Sequence, residues 1–176
     1  MTEFTASQFG ESFIGDGADA AHINTVLGGA GGPVETAWVT ALATPSAGHA
    51  AFVAVVAPGV AVRPHTLFVN KAAIAGDLHG RLTWGAAQAG VAGGVLDAVA
   101  AAVIDERTAA EGLLIVAVWV NPAATNEEAV YANNRTATFE ALRAGRDGRP
   151  TLPDALAGRH APHNGFFAGP AGHPVR

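Results

Sequence analysis

Cysteine is absent from the 176 residues. That absence excludes a disulfide framework, a thiolate nucleophile and a cysteine-based zinc site. Charge is scarce as well: Asp, Glu, Lys and Arg make up 14% of the chain, and the formal net charge is -5. No dense basic cluster occurs; Arg143, Arg146 and Arg149 are spaced, with Asp147 among them. A nucleic-acid partner is therefore not expected. No apolar run is long and unbroken enough to span a bilayer, and no basic start leads into an apolar core. No membrane partner is expected, and the expected address is the cytoplasm.

What remains is an apolar chain built of small residues. Hydrophobic residues make up 49% and glycine contributes 22 positions. That composition argues against disorder and for one domain with a real core. So little charge also leaves apolar surface to be hidden between subunits. A closed homo-oligomer is expected.

The pattern along the chain predicts alternating strands and helices. Residues 3–14 and 20–27 read as strands joined by the Gly15-Asp16-Gly17 turn. After a glycine loop at 28–32, Pro33 suits a first helical position, and Glu35 suits the first turn. This helix is predicted over 33–42. Strands are predicted over 50–56 and 66–74, then a helix over 85–104, where Val91, Val95, Val99 and Val103 recur every four residues. A buried strand over 113–120 and a helix over 127–144 follow. From Gly145 the chain reads as loop. The expected class is α/β, a two-layer α+β sandwich with a mixed sheet and helices on one face. Residues 1–150 are expected to form the domain and 151–176 a Gly/Pro/His-rich tail.

Three blocks carry chemistry: Gly15-Asp16-Gly17-Ala18-Asp19-Ala20-Ala21-His22-Ile23, then Gly31-Gly32-Pro33-Val34-Glu35-Thr36-Ala37, then Thr66-Leu67-Phe68-Val69-Asn70-Lys71. With Gly10-Glu11, Ala57-Pro58, Gly85, Gln88, Gly90-Val91 and Asp97-Ala98-Val99, they resemble the formaldehyde-activating enzyme family over most of the chain. The resemblance implies a fold like the second domain of ribosomal protein S5 and a ring-shaped homopentamer. It implies a hydro-lyase of one-carbon metabolism and formaldehyde detoxification. Formaldehyde would condense with a reduced pterin carrier, tetrahydromethanopterin or similar, to give the methylene-carrier and water. The carrier is a co-substrate; no tightly bound cofactor and no metal are implied.

The resemblance assigns His22 as the general acid. Positions Asn24, Val53, Lys71, Ala73 and Gln88 would contact the carrier. Lys71 and Gln88 match the family. Asn24 stands where the family has aspartate, Val53 where it has leucine, Ala73 where it has threonine, and Gly29-Ala30 where it has Pro-Arg. The chemistry fits a histidine. Formaldehyde adds to a secondary amine unaided, but the carbinolamine oxygen must be protonated as it leaves, and histidine is the side chain that titrates near neutrality unperturbed. Replacing a carboxylate by Asn24 keeps the shape but weakens a charge-assisted bond.

Each residue also has a plainer reading. His22 and Asn24 could be ordinary sheet-face residues. Lys71 could pair with Glu35 or Asp16, or trap formaldehyde as a Schiff base. The glycine loop could cradle an anion or be a turn. His160 and His163, with His173 beyond, sit on poor scaffolding for a metal. His49, His65 and His79 read as surface or interface residues. Trp38, Trp84 and Trp119 read as core, with Trp84 able to stack on a ring. Two other functions are open: condensation of a small aldehyde with a different amine, or a non-catalytic module that binds formaldehyde or a pterin.

Overall fold

The computed structural model describes residues 7–165 and 167–170. Its strands are β1 (Gln8–Ile14), β2 (Ala21–Gly29), β3 (Ala51–Val53), β4 (Val55–Ala57), β5 (Val60–Ala61), β6 (His65–Asn70) and β7 (Gly112–Trp119). Its helices are α1 (Pro33–Ala43), α2 (Asp77–Arg81), α3 (Gln88–Ala100), α4 (Glu106–Glu111), α5 (Glu127–Arg146) and α6 (Leu152–Ala157). A π-helical stretch, Leu82–Ala87, joins α2 to α3. Five strands form one sheet in the order β1-β2-β7-β6-β3, with β6 parallel to β7 and the other pairs antiparallel. β4 and β5 form a separate hairpin. This is the mixed-sheet α/β architecture expected from the pattern.

Alternation sorts the sheet into two faces. In β2, Ala21, Ile23, Thr25 and Leu27 are buried, while His22, Asn24 and Val26 are only half-buried. β7 alternates in the same way. The two long helices cover the buried face: α5 packs on β1 and β2, and α3 packs on α5. Glycine sets their closeness. A Cβ on Gly94 would meet the Arg135 carbonyl oxygen at 2.4 Å, and one on Gly10 would meet that of Ala141. Val91, Val95, Ala98, Val130, Ala137 and Ala141 fill the space between. α1 departs from the expected placement of all helices on one face. It packs on β2, β7 and β3, and its Val34 sits over Gly28, whose alternation belongs with His22 and Asn24. The face bearing His22 is thus covered by a helix at one end and left open at the other.

Local chemistry trims several elements. The strand predicted over 66–74 ends at Asn70. There the side-chain Oδ1 accepts from the Ala72 N–H (3.2 Å) and the side-chain amide donates to the Ala72 carbonyl, forming a tight turn. The run predicted over 50–56 divides at buried Ala54 into β3 and β4. The segment after Gly145 is not all loop. α5 continues to Arg146, and Thr151 and Asp154 close a capping box on α6.

His79 is buried, against the expectation of a surface residue. Its Nδ1 accepts from the Ala75 N–H (3.1 Å) and its Nε2 donates to the Val120 carbonyl (3.0 Å). None of the three tryptophans is buried in the core: Trp38 and Trp119 are half-buried and Trp84 is exposed.

Candidate active site

The site begins with the β1–β2 hairpin. Its register sets Phe13 opposite His22 and Glu11 opposite Asn24. All four lie on the open face, because side chains two apart share a face. The Glu11 carboxylate reaches diagonally to His22, with Oε1 3.1 Å from Nε2. The Phe13 ring lies tilted against the imidazole at 6.0 Å between centroids. On the other side, β7 places Trp119 opposite His22 and Ala117 opposite Asn24.

Lys71 enters from beyond β6. Its backbone N–H continues the ladder to the Val118 carbonyl (2.9 Å). Its Nζ donates to Asn24 Oδ1 at 2.7 Å, although β7 lies between their strands. Neither expected carboxylate is its partner. Glu35 instead accepts from the Gly31 N–H (2.6 Å) at the start of α1. That bond takes the Gly31 N–H, one of the loop donors an anion would have used.

These neighbours set the protonation of the site. Burial lowers the His22 pKa below the ordinary histidine value, and the nearby Lys71 charge lowers it further; Glu11 pulls the other way by charge and by hydrogen bond. Burial also lowers the Lys71 pKa, with Glu11 opposing. The imidazole of His22 thus feels one cation and one anion, with opposite effects on its protonation.

A cavity of about 510 Å³ opens over this cluster, lined by Glu11, Phe13, His22, His163, Asn164 and Gly165. Its size falls in the range of small-molecule pockets. The last three residues come from the segment after α6, which folds back onto Phe13. A Cβ on Gly165 would lie 2.3 Å from that ring.

The remaining sequence-derived positions lie elsewhere in the protomer. Val53 pairs with Leu67 on the far edge strand. Three strand spacings separate β3 from β2, roughly 14 Å at about 4.8 Å each. The Gln88 amide donates to the Val55 carbonyl (3.0 Å) and accepts from the Val55 N–H (3.4 Å), which braces β4 against α3. Ala73 lies against Gly48. Trp84 lines a separate groove with Ile74, Asp77, Arg81 and Glu127. Among the described residues no group of three or more His, Cys, Asp or Glu is arranged to hold a metal; His173 lies outside them. None of the described helices is long and apolar enough to cross a membrane.

Glu11, Phe13 and His163 were not singled out as site residues from sequence. The first two carry a usable signal: a hairpin closed at Gly15-Asp16-Gly17 brings them beside His22 by register alone. His163 carries none, because its place depends on how the segment after α6 turns back.

Comparison with known proteins adds the following. The model of the formaldehyde-activating enzyme family matches residues 9–167. A 5,6,7,8-tetrahydromethanopterin hydro-lyase of Methanosarcina barkeri is 39% identical over 160 residues, covering 91% of this chain and 90% of that protein. A bifunctional enzyme Fae/Hps of Methanothrix thermoacetophila is 35% identical over 147 residues, and one of Archaeoglobus fulgidus is 33% identical over 150. The match covers 38% of the length of each of these two bifunctional proteins.

Proposed function

The chain belongs to the formaldehyde-activating enzyme family, and on that premise we propose that it is a hydro-lyase condensing formaldehyde with a reduced pterin carrier of the tetrahydromethanopterin kind. The products are the methylene-carrier and water. The observation that carries the mechanism is His22, held between Glu11 and the Lys71 charge at the floor of a cavity. An amine of the carrier adds to formaldehyde. His22 protonates the carbinolamine oxygen, water departs, and the iminium carbon is captured by the second amine. Holding both amines close removes an entropic barrier. Glu11 orients the imidazole. Asn24 and Lys71 form a polar pair for the carrier.

Val53, Ala73 and Gln88 lie away from the His22 cavity in one protomer. We take them as carrier contacts donated by a neighbouring copy, so that the carrier sits in a cleft between subunits of a homopentamer. We take residues 1–150 as the domain and 151–176 as a tail, whose His163, Asn164 and Gly165 reach the cavity. The reaction belongs to cytoplasmic one-carbon metabolism and formaldehyde detoxification. Asn24 and Ala73, which soften the carrier contacts, favour one second reading: a diverged member that uses another amine.

Initial rates of formaldehyde loss with tetrahydromethanopterin, with tetrahydrofolate and with neither carrier separate the two. Acceleration above the spontaneous rate with tetrahydromethanopterin is the expected result. Absence of acceleration with either carrier would move the search to other amines or to a binding role.

A pH prediction follows from the electrostatics. A general acid acts while protonated, so kcat/KM is expected to fall as pH rises through the His22 pKa, with an inflection below ~6.5, the ordinary histidine value. The charged and titratable groups around the imidazole are Glu11 from β1, Lys71 after β6 and His163 of the closing segment. Glu11→Gln removes the anion that favours imidazolium and should move the inflection down. Lys71→Met removes the opposing cation and should move it up. Shifts in the opposite directions would show that another group controls the profile.

A further inference from the structure

The condensation proposed above moves two protons, and His22 accounts for one. When the second amine closes the ring, a C–N bond forms and the C=N π pair returns to the first nitrogen. The attacking nitrogen then carries a positive charge and must lose its proton. Besides the spent imidazole of His22, the cavity offers a second group for this step.

The same cavity contains another imidazole. His163 lines it together with His22 and Glu11. His163 Nδ1 lies 3.1 Å from the Ala161 carbonyl oxygen. A carbonyl only accepts, so in this contact Nδ1 carries the proton, which leaves the Nε2 lone pair free to act as a base in the neutral ring. The segment is built rather than loose. Asn164 and Phe167 exchange two backbone hydrogen bonds, at 2.9 and 3.1 Å, and Asn164 Oδ1 also accepts from the Phe167 N–H. Gly165 seats this turn on the Phe13 ring, the ring that also touches His22.

We propose that His163 is the second acid–base residue of the cavity, its Nε2 taking the proton released by the ring-closing amine. The balance is complete. Formaldehyde and two N–H groups give N–CH2–N and water. One proton leaves His22 with the departing oxygen and one arrives on His163. His163 is exposed, so exchange through solvent restores both. The carrier is thereby held between a donor on the sheet and an acceptor on the closing segment.

The test is steady-state kinetics of the full chain with formaldehyde and tetrahydromethanopterin, with the spontaneous rate subtracted. Wild type, His163→Ala, His163→Gln and His22→Ala are compared, with and without added imidazole. For both His163 variants we expect kcat to fall by about 10²-fold, as for loss of a general base, with the carrier KM within about twofold of wild type. Imidazole should restore part of the His163→Ala rate and leave wild type unchanged. A His163→Ala kcat within about twofold of wild type would overturn the proposal, as would a loss confined to KM or one that imidazole does not rescue. If wild type itself gives no acceleration, the condensation reading falls, and this inference falls with it.

Discussion

Replacing His22 by glutamine is expected to lower kcat by about 10²–10⁴-fold, the range general acid catalysis supplies, with little change in the KM for the carrier. Glutamine is the sharper choice than alanine. Its amide reaches much the same position as the imidazole Nε2 and can still donate to Glu11, which sits 3.1 Å from that atom in the native chain. Phe13, opposite position 22 in the hairpin register, keeps a neighbour of similar size. The hairpin should therefore hold its geometry while the proton is lost. The slow step explains the size of the effect. Addition of formaldehyde to an amine proceeds unaided, so a non-titrating side chain leaves that step intact and stalls departure of water. The measured floor is the spontaneous reaction, which must be subtracted. A glutamine variant retaining a third or more of the wild-type kcat would show that the leaving oxygen is protonated by something else, and His163 would be the next residue to test.

The sequence carried much of this site, and where it did not the reasons are physical. Strict alternation in β2 puts His22 and Asn24 on one face, because a period of two leaves no other choice. The recurrence of Val91, Val95 and Val99 located α3, whose Gly90 and Gly94 let it pack closely on α5. The Lys71–Asn24 bond was not legible. It requires β7 to lie between β2 and β6, and strand order is a global property that no local pattern encodes. The early end of β6 was hidden for the opposite reason. It is decided by one side chain, Asn70, folding onto Ala72. α6 had a readable signal in Thr151-Leu-Pro-Asp154, a capping-box spacing with proline inside the first turn. The Gly/Pro/His composition around it outweighed that signal. His79 misled because an isolated histidine reads as polar. Buried with both ring nitrogens satisfied, it bridges the loop before α2 to the end of β7.

Asn24→Asp is expected to tighten binding of tetrahydromethanopterin by about 10- to 100-fold. Hydrogen bonds to a charged group contribute on the order of 1.5–3 kcal/mol, and each ~1.4 kcal/mol is a decade in affinity. The native chain has a neutral acceptor at this position, and its Oδ1 is already committed to the Lys71 ammonium at 2.7 Å. The remaining amide group of Asn24 is a donor, so it offers little to N–H groups of a pterin. A carboxylate changes that count. It presents two oxygens with about four acceptor sites in all, so one oxygen can keep Lys71 while the other faces the ligand. The new charge would also favour the protonated forms of both Lys71 and His22, moving the kcat/KM inflection up in pH. Binding measured by calorimetry without formaldehyde isolates the affinity term from the chemistry. If affinity rises, Asn24 is a weakened carrier contact, and the site still has the shape for this pterin. If affinity is unchanged or falls while the protein stays folded, the Asn24–Lys71 pair has been retuned for a different amine. The carrier would then have to be sought among amines that offer an acceptor, rather than a donor, to the side-chain amide of Asn24.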